Sequence, residues 1–178
     1  AYTPYQPEIS QGRLEALLNF QTMISEITSL PIANASMLDE STAAAEAMTM
    51  SFKLTNNKNT VILDKYLHPQ TINVIKTRAE PLGINLIISE NPEKEKLDDC
   101  SCVIFQYPNT EGRIKNLDDD IKIIQSAGSM VILVADLLSL ALIKSPGKMG
   151  ADIAVGSTQR FGVPMAFGGP HAGYFATK

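Results

Sequence analysis

The apolar residues of this chain recur first at helical and then at strand-like spacing. Between residues 7 and 30, Leu14, Leu17, Phe20, Ile24 and Ile27 follow one another three or four positions apart, which predicts an amphipathic helix. A second helix is predicted to open at 39–42, where Asp39, Ser41 and Thr42 can accept from free amides, and to continue through Ala43-Ala44-Ala45-Glu46-Ala47-Met48. Its alanine face allows a neighbouring backbone to come close. Thr60-Val61-Ile62-Leu63-Asp64 then reads as a strand buried on both faces, because it is β-branched and apolar without alternation. The alternation continues with a helix at 69–79, a strand at 85–89, a polar loop at 90–99 and a strand at 102–107. A helix at 117–127, closed by Gly128, precedes a buried strand at 130–136 and two short strands at 153–155 and 173–176.

Strands that alternate with helices and are apolar on both faces predict an α/β fold of three layers, a mostly parallel sheet with helices on either side. One partial domain over 1–178 is expected, with a lead segment and helix at 1–30 and a sheet-and-helix core at 31–178. Ligands of such sheets bind at the carboxyl ends of the strands. The residues to inspect are therefore His68, Tyr107, Asp136 and the segment 156–161.

Composition narrows the function classes. Hydrophobic residues at 44% and charged residues at 19% are those of an ordinary soluble globular chain. The 15 basic residues form no cluster and the net charge is −4, which argues against a nucleic-acid partner. No apolar run approaches the roughly 20 residues of a membrane span. Cys100 and Cys102 flank one serine, and alternation would place both on the same face. With no further ligands nearby they predict buried free thiols in a reducing compartment, and neither a disulfide nor a metal site. The chain opens at Ala1-Tyr2 and stops at Lys178 directly after an apolar stretch, which suggests a piece of a longer protein.

Several residues invite a chemical reading, each beside a plain one. Asp136 ends the most hydrophobic strand, where a carboxylate is costly to bury without a partner; it could instead cap a helix at 137–143. Ser41 and Thr42 could hold an anion at a helix N-terminus, or simply cap it. His68 lies in a loop at the ligand edge, able to stack on a flat ring or to serve only as a structural histidine, and His171 in Gly168-Gly169-Pro170-His171 has the same standing. The opening segment carries Tyr2, Tyr5, Gln6 and Glu8 between two prolines, and it can line a pocket or merely lead into the first helix. Neither a Gly-x-Gly-x-x-Gly run nor a phosphate-binding loop of the Walker type is present.

Four segments together carry a resemblance. They are Tyr2-Thr3-Pro4-Tyr5-Gln6-Pro7-Glu8-Ile9-Ser10-Gln11-Gly12-Arg13-Leu14-Glu15, Ala33-Asn34-Ala35-Ser36-Met37-Leu38-Asp39-Glu40-Ser41-Thr42-Ala43-Ala44-Ala45-Glu46-Ala47, Phe105-Gln106-Tyr107-Pro108-Asn109-Thr110-Glu111-Gly112, and 156–173. In wording and order they resemble the N-terminal half of the glycine decarboxylase P-protein family of the glycine cleavage system. The resemblance implies a large-domain-like part of the aminotransferase fold (fold type I), in an enzyme that decarboxylates glycine on pyridoxal phosphate and passes the aminomethyl group to the lipoyl arm of H-protein. It further implies two related halves, with the internal-aldimine lysine in the C-terminal one, inside an Asn-Leu-His-Lys-Thr-Phe run. Gly156-Ser157-Thr158-Gln159-Arg160-Phe161 matches that run with Gln159 at the lysine. By that resemblance Ser41, Thr42, His68, Asp136 and Gln159 occupy a vestigial cofactor site as phosphate grip, ring stacker, pyridine partner and lysine replacement, and no catalytic residue lies in this segment.

The cofactor is then expected on the other half and none here, with Tyr2, Tyr5, Gln6 and Glu8 as candidates for reaching the substrate. Expected partners are the C-terminal half, fused or separate, lipoylated H-protein and glycine, in an oligomer of the bacterial cytoplasm or the mitochondrial matrix. A non-catalytic scaffold or regulatory subunit of the same complex is the alternative. A third reading, an independent enzyme of the same fold such as a cysteine desulfurase relative, needs a lysine after a core strand, for which Lys144 and Lys148 are the nearest candidates.

Overall fold

The computed structural model describes residues 6, 8, 10–56 and 58–178. Helices α1 (Arg13–Thr28), α2 (Glu40–Leu54), α3 (Pro69–Ala79), α4 (Asp118–Ser126) and the single turn α5 (Pro146–Met149) surround strands β1 (Ile32–Ala33), β2 (Thr60–Asp64), β3 (Asn85–Ser89), β4 (Cys100–Tyr107), β5 (Met130–Ala135), β6 (Ile153–Ser157) and β7 (Gly173–Thr177). The strands form one sheet in the order β1-β7-β6-β5-β4-β2-β3. Neighbours from β3 to β6 pair in parallel, and β7 runs antiparallel to both β6 and β1. The layered α/β architecture expected from the alternation is the one observed. From β2 the chain moves outward to β3 and then returns past β2 to β4, so the connections switch sides beside the carboxyl ends of β2 and β4, where open α/β sheets leave a crevice.

Each face of the sheet is closed by its own core. Val61, Leu63, Ile104, Ile132, Val134, Ile153 and Val155 meet the buried alanines of α2 and Ile75 of α3 on one side. Val103, Phe105, Val131 and Leu133 meet Ile121 and Ile124 of α4 on the other. There, Ile24 of α1 also packs on Ala154 and Tyr174. The small residues of α2 explain how it lies close over β6, because alanine leaves room where a longer chain would hold the helix away.

Two expectations from the pattern need correction. Helix α1 begins at Arg13 and not near residue 7, since Gly12 at its N-cap has φ 78°, a left-handed conformation that no helix continues through. The two cysteines do not share a face. The register steps from Thr60 opposite Cys100 to Val61 opposite Cys102, so a bulge at Ser101 turns Cys100 into one core and Cys102 into the other. Both are free and buried. Among the described residues no helix is long and apolar enough to cross a membrane.

Candidate functional site

The carboxyl ends of β4, β5 and β6 converge on a cavity of about 280 Å³ lined by Glu40, His68, Gln106, Pro108, Asn109, Asp136, Ser157, Gln159 and Arg160. Strand geometry selects this set. Gln106 continues the face of Cys102 and Ile104, and Ser157 continues that of Ile153 and Val155, so both project toward the α2 side just where the apolar core runs out.

His68 is held by a short chain of hydrogen bonds. The Tyr66 carbonyl accepts from the Thr110 amide at 3.0 Å and from the Thr110 hydroxyl at 2.8 Å. With its proton so placed, the Thr110 oxygen can only accept from His68 Nδ1, 2.9 Å away. That assignment leaves the lone pair on Nε2, which lies 4.0 Å from Glu40 Oε1. Burial holds the His68 pKa below its ordinary value, so the ring is neutral at pH 7.

Glu40 is the first residue of α2. Burial lifts its carboxyl to about 6, and the charges of Asp136 and Asp39 add to the rise, while the Gln106 side chain and the Ser157 backbone oppose it. The helix start beside it is capped by Asp39, whose Oδ1 accepts from the Thr42 amide at 2.6 Å. Asp136 accepts from the Leu138 amide at 3.1 Å and from Arg160, with Nε 3.2 Å from Oδ1 and Nη2 3.3 Å from Oδ2. It therefore caps only a short turn; the helix that 137–143 could have formed is reduced to the 3-10 turn Ser139–Ala141. Gln159 lies in the 3-10 turn Gln159–Phe161, with its amide nitrogen 3.5 Å from the Val163 carbonyl. Phe161 of that turn meets Phe20 of α1 edge-on, the ring centroids 6.4 Å apart.

The residues singled out in the sequence are only partly gathered here. His68, Asp136 and Gln159 line the cavity. The Ser41 hydroxyl is 3.0 Å from that of Thr71, and Ser41 borders an adjoining hollow with His171. Thr42 lines a separate hollow with Asn34 and Met37. Tyr2 and Tyr5 lie outside the described residues, and Gln6 and Glu8 are exposed. Lys144 is paired with Asp118 at 2.7 Å and, like Lys148, stands away from the cavity. Glu40 and Gln106 had not been singled out as site residues, and Arg160 had been named only within the segment 156–161. A polar Gln106 inside an otherwise apolar strand was the one available signal.

A model of the glycine cleavage system P-protein family matches residues 1–178. The chain belongs to this family. Glycine dehydrogenase (decarboxylating) of Cereibacter sphaeroides strain KD131 is 55% identical over 100% of this chain, which covers 19% of that protein. The enzyme of the same name from Pelagibacter ubique shows the same identity and shares. The chain thus spans about a fifth of the length of these curated relatives. A crystal structure of glycine decarboxylase (P-protein) of the glycine cleavage system, in inhibitor-bound form, superposes with a TM-score of 0.94 at 43% identity over 100% of this chain and 42% of that one. At 15% identity, cystathionine gamma-lyase from Lactobacillus plantarum shares the fold with a TM-score of 0.72, over 89% of this chain and 41% of that one.

A pyridoxal-phosphate site of this family's fold type demands a primary amine, an anion grip and a carboxylate free to meet the pyridine nitrogen. The cavity does not fit that group. Position 159 offers a carboxamide, whose delocalised lone pair is not nucleophilic. The α2 N-terminus that could grip a phosphate carries Asp39 and Glu40, two carboxylates that repel it. Asp136 already holds Arg160.

Proposed function

We propose that this chain is the part of a glycine dehydrogenase (decarboxylating) that completes the active site and carries no cofactor of its own. In the whole enzyme, pyridoxal phosphate bound by the other half supplies the electron sink for decarboxylating glycine, and the aminomethyl group passes to the lipoyl arm of H-protein. The observation that carries this reading is Gln159 just past β6, at the position that by resemblance matches the family's lysine, in a cavity whose charges oppose a phosphate.

An apolar rim supports pairing with the rest of the enzyme. Leu138, Leu142, Phe161, Met165 and Phe167 are exposed around the 3-10 turns that follow β5 and β6, and Leu142 keeps 92% of its surface. Exposed apolar surface of that extent beside a site is what a partner surface covers. The segment of Tyr2, Tyr5, Gln6 and Glu8 is the part of this chain that we assign to the substrate side. Both curated relatives named above are bacterial, which supports action in the cytoplasm.

The test is borohydride reduction of the complete enzyme followed by peptide mass spectrometry. Pyridoxyl label is expected on a lysine outside this chain, and stable labelling of any lysine within 1–178 would overturn the reading. Separately, the combined variant Tyr2→Phe, Tyr5→Phe and Gln6→Ala should raise the KM for glycine. Decarboxylation at the normal rate by the remaining half alone would make this chain a scaffold.

A further inference from the structure

The cavity at the ends of β4, β5 and β6 is not merely emptied of one chemistry; its polar groups are arranged for another. Its lining combines a carboxylate that lacks a counter-charge with a ring nitrogen that lacks a donor. Gln106 is 5% exposed and its Oε1 has no hydrogen-bond partner. His68 turns the Nε2 lone pair inward, because Nδ1 is committed to Thr110. The Glu40 carboxylate lies 4.0 Å from that nitrogen, too far for a hydrogen bond, and its own side chain is only 20% exposed. Glu40 takes the Gln106 side chain and the Ser157 backbone as donors, so what it lacks is a counter-charge, and His68 Nε2 is the cavity-facing acceptor without a donor. Arg160 neutralises Asp136, so Glu40 carries the uncompensated charge. Asp39 adds a further carboxylate on the same helix start and offers no cation.

A group that satisfies this pair must bring N–H donors and one positive charge in a small volume. A primary ammonium does, with three donors and no acceptor, whereas a phosphate or carboxylate brings the wrong sign and no donors. We propose that this cavity binds the primary ammonium group of a small amine or amino acid, held between Glu40 and His68 Nε2. The volume of about 280 Å³ admits such a molecule with water to spare. The same ammonium chemistry could be delivered by a lysine side chain from elsewhere in the complete enzyme. The inference rests on the reading that this cavity holds no pyridoxal phosphate.

Radiolabelled methylammonium and the complete holoenzyme in equilibrium dialysis decide the matter. One methylammonium per chain should bind to the wild type and be lost in both Glu40→Gln and Gln159→Lys, the latter because it supplies its own ammonium to the cavity. Native folding of each variant is checked by the inaccessibility of Cys102 to alkylation. If a lysine of the enzyme is the occupant, methylammonium does not bind, and one lysine is protected from acetylation in the wild type and exposed in Glu40→Gln. Uptake that is equal in wild type and Glu40→Gln, or no uptake and no such lysine, overturns the proposal. Two pyridoxal phosphates per chain by phosphate analysis would instead overturn the functional reading on which it rests.

Discussion

Replacing Glu40 with glutamine should stabilise this part of the enzyme, and only above the pH at which the carboxyl ionises. Burial raises the Glu40 carboxyl from 4.5 to about 6, so the folded state holds this proton more tightly than the unfolded chain does. A group shifted in that direction contributes stability below pH 4.5 that is lost as the pH rises through about 6. Each pKa unit corresponds to about 1.4 kcal/mol, so the penalty at pH 8 is about 2 kcal/mol. The side chain is one-fifth exposed, so solvent screening brings the expected gain to about 1–2 kcal/mol.

Cys102 offers the readout, because it is fully buried between the sheet and α2. Its alkylation against urea concentration, followed by mass spectrometry of its peptide in amine-free buffer, reports unfolding of this sheet within the complete enzyme. The Glu40→Gln midpoint should exceed the wild type at pH 8 and coincide with it near pH 4.5. A lower midpoint at pH 8, or a shift that does not change with pH, would refute the argument from burial.

Other outcomes follow from packing and bonding. Gly156→Ala puts a Cβ 2.3 Å from the Ala135 carbonyl oxygen and 2.6 Å from the Tyr174 ring, and it should lower stability by at least about 2 kcal/mol in the same urea titration. Tyr174→Phe removes the buried hydroxyl that donates to the Ala135 carbonyl at 2.8 Å, and a loss of about 1–2 kcal/mol is expected there. Cys100 and Cys102 should both resist alkylation at pH 8 until urea unfolds the sheet, since burial pushes each thiol pKa up; rapid labelling of the native protein would contradict their placement.

Most of the fold was legible because its strands are buried on both faces and its helices are marked by capping and glycine signals. Strand β2 and helix α3 lie at their expected bounds of 60–64 and 69–79. What escaped were features decided by tertiary contact. The two-residue β1 forms because β7 supplies its partner, and nothing in Ile32-Ala33 alone announces a strand. The bulge at Ser101 reversed the expectation for Cys100, since strict alternation takes no account of an inserted residue. At the site, Ser41 and Thr42 drew attention as hydroxyls at a helix start, yet Asp39 takes the cap and Thr71 pairs with Ser41. Glu40, between them, is the residue that reaches the cavity. A rotation of the helix start by a fraction of a turn decides which of four adjacent polar side chains faces a ligand, and the packing of α2 on β6 sets that rotation.

The loss of cofactor chemistry here should not be reversible at position 159 alone. In Gln159→Lys the new amine would stand in a cavity with the uncompensated carboxylate of Glu40, which favours its charged form and so raises its pKa. An ammonium has no lone pair with which to attack an aldehyde. Asp39 and Glu40 would still oppose a phosphate at the α2 N-terminus. Adding pyridoxal phosphate to the Gln159→Lys enzyme, reducing with borohydride and examining the peptide spanning position 159 should therefore reveal no pyridoxyl adduct at pH 7. Adding Glu40→Gln removes that uncompensated charge, so any adduct should emerge in the double variant first. An adduct in Gln159→Lys as abundant as on the enzyme's own aldimine lysine would mean that the single amide, and not the charge of the cavity, is what keeps the cofactor out.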